Sequence, residues 1–282
     1  MGRQLTARVF HRRTVAIPFH CSELLANFNR SCKTQLIMAE PTKKKQKWEE
    51  FIDFGQPPRT TAARSPVANA TPTGPQVRVI RPIQIPKQND QLGYYVNCTS
   101  SADDWATKKD LSPFYLGPCK LYGNHVSLTM ENAWQFSKVF AAHVGKDGNP
   151  SSDYFYWAAE GWSLERAERY PMGKGAKPEF HWWDGRKLTR VEARKEIYVP
   201  LYAEGVLKTR RFRTLRSAWH GFEHNGAGTI YLMDFDAYDY TGMTLTQVLN
   251  NPDKSMGHGF VLAMLLTEDP ALEECRMRPA AK

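Results

Sequence analysis

Glu131, Trp134 and Gln135 set a carboxylate, an aromatic ring and an amide three and four residues apart, the spacing that brings side chains together along a helix. Thr129 is placed to cap that helix by accepting a backbone N–H of its first turn. Glu131 then sits near the positive end of the helix dipole, where an acid is either an ordinary stabilising residue or a placed catalytic group. A second acid, Asp236, follows the apolar run Thr229–Phe235, which reads as a buried strand. An acid at such a strand end is held by the scaffold and exposed by the loop. Asp234 and Asp239 compete for that role, or serve as turn formers. Two carboxylates brought together would divide general acid and base work.

Other residues offer binding chemistry. Lys174 lies between Gly173 and Gly175, where open N–H groups and a cation suit a phosphate, or where a helix simply ends. Lys208, Arg210, Arg211, Arg213 and Arg216 gather around Phe212 and Leu215, as a phosphate-binding cluster or a solvated helix face. Trp182 and Trp183 precede the Asp184-Gly185 turn. Such a pair reads as core plus lid more readily than as a site, with Trp183, beside the turn, the better placed of the two. His258, between two glycines, is the histidine with a site-like setting, although a structural role is equally natural there.

The elements that must position these groups follow from local pattern. Gly93–Asn97 reads as a strand and residues 144–153 as a loop. Ala133, Phe136 and Phe140 share a helical face. Ser163 is expected to cap a helix over Leu164–Tyr170. Thr189 with Glu192 forms a capping box, Pro200 should kink or end the helix that follows, and Gly205 should close it. Leu245–Leu249 reads as a short helical turn and Phe260–Leu266 as a buried helix. The expected fold class is α+β, a mainly helical single domain with a small sheet over residues 91–268, followed by a tail at 269–282.

The net charge of +9 is uneven. Residues 1–92 hold 15 Lys+Arg against 6 Asp+Glu, whereas residues 93–267 hold 20 against 19. The basic balance thus belongs to an N-terminal extension (1–55), whose acid-poor start has the composition of an organellar targeting segment. An untargeted extension and an internal start at Met38 fit equally well. Residues 56–90 read as a linker: 56–76, rich in Pro, Thr, Ala and Ser, as a disordered tract, and Val77–Ile85 as an extended segment leading into the domain. Five scattered cysteines with no Cys-x-x-Cys point to reduced thiols inside the cell, in cytoplasm or nucleus, or in mitochondria if the extension targets, and to no structural metal. The apolar run Phe260–Leu266 is too short to cross a bilayer, so no membrane partner is expected.

Taken together, residues 93–267 resemble the NADAR (YbiA-like) domain family. Leu111-Ser112-Pro113-Phe114, the Gly117-Pro118-Cys119 turn and Glu131-Asn132-Ala133-Trp134-Gln135-Phe136-Ser137-Lys138-Val139-Phe140 fill the slots of its opening motif, which ends Glu-His-x-x-Gln-x-x-Lys and an aromatic. Asn132 stands where the family has His. Met172-Gly173-Lys174 is similar to its Met-Gly-Arg element, and Asp236-Ala237-Tyr238 to the first part of Asp-x-Tyr-Trp-Gly. Asn251 and Gly257 precede the Leu-rich helix as in the family. The resemblance implies a YbiA-like fold and hydrolysis of ribosyl–base N-glycosidic bonds, with no cofactor and no metal. The substrate would be an ADP-ribosylated guanine or another nucleotide-like molecule, free or in DNA or RNA. It implies catalytic roles for Glu131 and Asp236. Substrate contacts would come from Asn132, Gln135, Lys174, Trp182, Trp183, Tyr238, Asn251 and His258, with an arginine of the 208–216 cluster on the diphosphate. A non-catalytic nucleotide-binding module and a base-modifying enzyme are the alternatives.

Overall fold

The computed structural model describes residues 74–83 and 93–277. The N-terminal extension, most of the linker and the end of the tail lie outside the described residues. The chain opens with β1 (Gln76–Ile80) and β2 (Gly93–Asn97). Then comes α1 (Trp105–Leu111), whose cap Asp104 accepts from the N–H groups of Ala106 and Thr107. A two-strand hairpin, β3 (Cys119–Lys120) and β4 (Val126–Ser127), leads into α2 (Met130–Gln135). Next are β5 (Lys138–Val139), α3 (Ser152–Ser163), β6 (Phe180–Trp183) and β7 (Arg186–Leu188). A helical run follows as α4 (Arg190–Ala193), a π turn (Arg194–Tyr198) and α5 (Val199–Val206). The chain then forms α6 (Arg210–Asn225), β8 (Thr229–Met233), α7 (Leu245–Leu249) and α8 (His258–Leu266).

Among the described residues the result is a mixed α/β structure in which helices outweigh three small sheets. The largest has the order β1-β8-β2, with both neighbours parallel to the central strand. Every residue of α8 is buried, as an all-apolar helix must be in a globular protein. It packs against β1 and β8 and ties the sheet to α5 and α6. Among the described residues no helix is long and apolar enough to cross a membrane.

The expected β2, the Thr189 capping box, the strand from Thr229 and the helices at 245 and 258 are all present. Four expectations need correction. The helix at Glu131 ends at Gln135, so Phe140 is not on it, although Ala133, Phe136 and Phe140 are all buried. The chain leaves the helix because Ser137 and Val139 give their carbonyls to the N–H groups of Trp182 (2.7 Å) and Glu179 (2.8 Å), so strand pairing overrides the helical period. Ser163 ends α3 instead of starting a helix. Gly205 lies inside α5. Pro200 sits in the first turn of α5, just after the π turn, where its missing N–H costs least.

Close packing between α2 and α3 depends on Gly161. A Cβ there would lie 2.0 Å from the Phe136 ring. Gly161→Ala is expected to lower unfolding free energy by about 1–3 kcal/mol, read from a urea titration.

Candidate active site

α2 is short, and its side chains continue as a chain of hydrogen bonds. Thr129 caps it by accepting the Asn132 N–H at 3.1 Å. The Glu131 carboxylate, 6% exposed, accepts from the Gln135 amide at 2.8 Å. The Gln135 carbonyl oxygen in turn accepts from Lys138 Nζ at 2.6 Å. Lys138 lies beside the Trp134 ring, 5.4 Å from its centre. Trp134 packs on His181 and Tyr198.

Burial raises the Glu131 pKa, opposed by the Gln135 hydrogen bond and by Lys138, Arg169 and His258. Burial also pulls Lys138 down to about 8, and Arg190 and Arg169 add to the fall while Glu131 and Asp236 oppose it. Asp236 lies 3.7 Å from Arg169. Glu131 and Asp236 therefore act on the same two cations. Burial raises the pKa of the Tyr198 phenol, and Asp234, Glu131 and Asp236 add to the rise. His181, which meets the Ser137 hydroxyl at 3.0 Å, is held well below its usual pKa by burial and by Lys138, Arg190 and Arg194. The π turn supplies Arg194, a buried guanidinium that donates to the carbonyls of Leu249 (3.1 Å) and Asn251 (2.6 Å). Cations thus outnumber the acids at this place.

The three acids after β8 separate cleanly. Asp234 is 2% exposed and accepts from the N–H groups of Gly259 (2.6 Å) and Asp236 (2.9 Å). His258 bridges its carboxylate (3.2 Å) and the Cys98 carbonyl (2.8 Å). A Cβ on Gly257 would fall 2.3 Å from that carboxylate, so the Gly-His-Gly run is a seat for Asp234. Asp239 is exposed and accepts the Thr241 N–H. Asp236 is the acid that reaches Arg169.

Several expected contacts are placed elsewhere. Asn132 spends its amide on the next loop: it donates to Leu164 and Arg166 carbonyls (3.1 Å each) and accepts the Glu168 N–H (2.8 Å). Those backbone groups are the ones a helix over 164–170 would have used, which is why none forms. The same grip holds the loop that carries Arg169. Asn132→Ala should cost about 2–4 kcal/mol, because buried backbone groups lose partners, and should speed proteolysis between residues 163 and 170. Trp183 is buried edge-on to Tyr122 (4.9 Å) and offers no face for stacking. Trp182 is half-buried, near Phe155 (6.2 Å). Lys174 is exposed on a turn. Tyr238 rests on Phe260 and lines a cavity of about 540 Å³ along β1. Asn251 shapes a turn by accepting the Asp253 N–H at 3.0 Å. No residue of the 208–216 cluster is among the charges acting on Glu131 or Lys138.

Lys138, Arg169, Arg190, Tyr198 and His181 are the site residues that sequence reasoning did not select. Lys138 was visible three residues after Gln135; the others meet it only through tertiary packing. At the rim, Arg169 lies against the exposed rings of Tyr170 (5.4 Å) and Phe235 (5.9 Å). Neither the 540 Å³ cavity nor a second of about 290 Å³ is lined by Glu131. No family model, characterised protein or solved structure matches the chain.

Proposed function

We propose that this protein hydrolyses the N-glycosidic bond between a ribose and a nucleobase, with an ADP-ribosylated guanine as the substrate or, failing that, a ribosylated metabolite. The observation that carries the reading is that Glu131 and Asp236, far apart in sequence, act on the same pair of cations, Lys138 and Arg169. Breaking the C1–N bond leaves positive charge on the ribose. A carboxylate near C1 steadies that charge, takes a proton from the attacking water and passes it to the departing base nitrogen. Glu131 is assigned the first task and Asp236 assists with the water. Lys138, Arg169 and Arg190 supply the positive field for a diphosphate. The exposed Tyr170 and Phe235 rings, beside Arg169, suit a base. The Arg169–Asp236 pair has both side chains more than a third exposed, so opening it for substrate costs less than about 1 kcal/mol.

A second reading, a nucleotide-binding module without turnover, is favoured by one observation: Glu131 is already engaged by Gln135 and lines neither cavity. Incubating the full chain with ADP-ribosylated guanosine separates the two. Released guanosine with free ADP-ribose supports hydrolysis. A thermal shift with ADP-ribose and no product supports the binding module. Failure on guanine and metabolite substrates alike rejects the enzymatic reading.

A further inference from the structure

A strip along α1 and α6 is built against local helix preference. The sixteen-residue α6 has no acid in its first turn and carries Arg210, Arg211, Arg213 and Arg216 in its first half. Cations at a helix N-terminus oppose the dipole. The acids of α1 and its cap offset one of them. Asp110 accepts the Arg211 N–H at 3.0 Å, and Asp104 pairs with the Arg211 guanidinium. Arg210, Arg213 and Arg216 remain exposed, and Arg213 donates to the Lys208 carbonyl.

Two large exposed rings stand on and just after α1, the helix that packs on α6. Trp105 is 59% exposed and Tyr115 40%, edge to face at 5.2 Å. Tyr115, Lys109, Lys208 and Thr209, the cap of α6, line the same 290 Å³ cavity, and Arg213 donates to the carbonyl of that Lys208. The other acids on this face are Glu204, paired with Lys208 at 3.3 Å, and the exposed Asp103. A lipid surface would require apolar side chains between the arginines. The outer face of α6 instead shows Thr214 and Ser217, whose hydroxyls bond back to the helix. Cations flanking open aromatic faces match a chain that alternates phosphates with unpaired bases.

We propose that this strip binds single-stranded nucleic acid, with phosphates on Arg210, Arg213 and Arg216 and a base on the Trp105–Tyr115 pair. The assignment rests on residues separate from the Glu131 site and stands whether or not that site turns over.

Fluorescence anisotropy on the full chain tests it, using a labelled oligothymidine, a duplex of equal length and vesicles containing phosphatidylserine at physiological salt. The basic N-terminal extension contributes a background common to all variants. Arg210→Glu with Arg213→Glu is expected to weaken oligothymidine binding about tenfold or more. Trp105→Ala should weaken it about tenfold while leaving duplex affinity nearly unchanged. All three side chains are exposed, so folding is not at stake, and circular dichroism verifies that. Wild-type affinity in either variant overturns the proposal, as does a preference for vesicles over oligothymidine. Glu131→Gln should keep oligothymidine affinity even where turnover is lost, so failure of the hydrolytic reading is distinguished from failure of this one.

Discussion

Glu131→Gln is expected to lower kcat by about 10²–10⁴-fold, the range for removing a positioned acid–base group, while leaving unfolding free energy within about 1 kcal/mol of wild type. The substitution keeps the side chain's size and an oxygen for the Gln135 amide, which donates to Glu131 at 2.8 Å. It removes a carboxylate whose charged form burial disfavours. A purely structural Glu131 predicts the reverse outcome, a stability loss with turnover intact. The pH profile adds a second check. Glu131 acts as the carboxylate, and its pKa lies above the ordinary 4.5. The rate should therefore fall on the acid side at a higher pH than a solvent-exposed glutamate would give, and that acid limb should vanish in Glu131→Gln.

Lys138→Met carries the other large effect, with activity and stability moving in opposite directions. If Lys138 binds a phosphate as proposed, it does so only while protonated, and its pKa is about 8, so wild-type activity should decline above that pH. The variant lacks the cation at every pH. Its kcat/KM should drop by roughly 10²-fold or more, the worth of a charged hydrogen-bond partner in a partly buried site, and its alkaline limb should disappear. For stability, the folded-state pKa of about 8 lies below the ordinary 10.5. Below about 8 the protein carries the full cost of an ammonium group that burial disfavours. Between about 8 and 10.5 the unfolded chain binds more protons at this residue, so wild-type stability rises with pH. Lys138→Met removes that cost and should be more stable at neutral pH by about 1–3 kcal/mol. Chemical denaturation at neutral pH and above pH 10 checks this, since the gap should shrink at the higher value. Stability bought back by deleting a working cation is the signature of a functional site.

Local signals made the α2 start, the Thr189 capping box and the apolar α8 legible, because each depends on residues within one or two turns. The family resemblance, more than residue type, singled out Glu131 and Gln135, which lie on the same short helix. What stayed hidden depends on partners far along the chain. Asn132 looked like a substrate contact, yet its amide is consumed by carbonyls more than thirty residues away. That one interaction also erased the helix expected after Ser163. Trp183 looked open beside its turn, but β6 alternates inward and outward and sends it into the core. Arg169 fell inside the helix expected over Leu164–Tyr170, and the grip of Asn132 on that segment leaves the arginine, not Lys174, beside Asp236. Among Asp234, Asp236 and Asp239, sequence had no means of choosing, because the choice is made by the N-terminus of α8 capturing Asp234.

The most direct test is a crystal structure of Glu131→Gln bound to ADP-ribosylated guanosine. The account predicts the ribose C1 lying between residue 131 and Asp236, the diphosphate on Lys138 and Arg169, and the base against Tyr170 or Phe235. A ligand seated in another cavity, with its ribose out of reach of both positions, would contradict it.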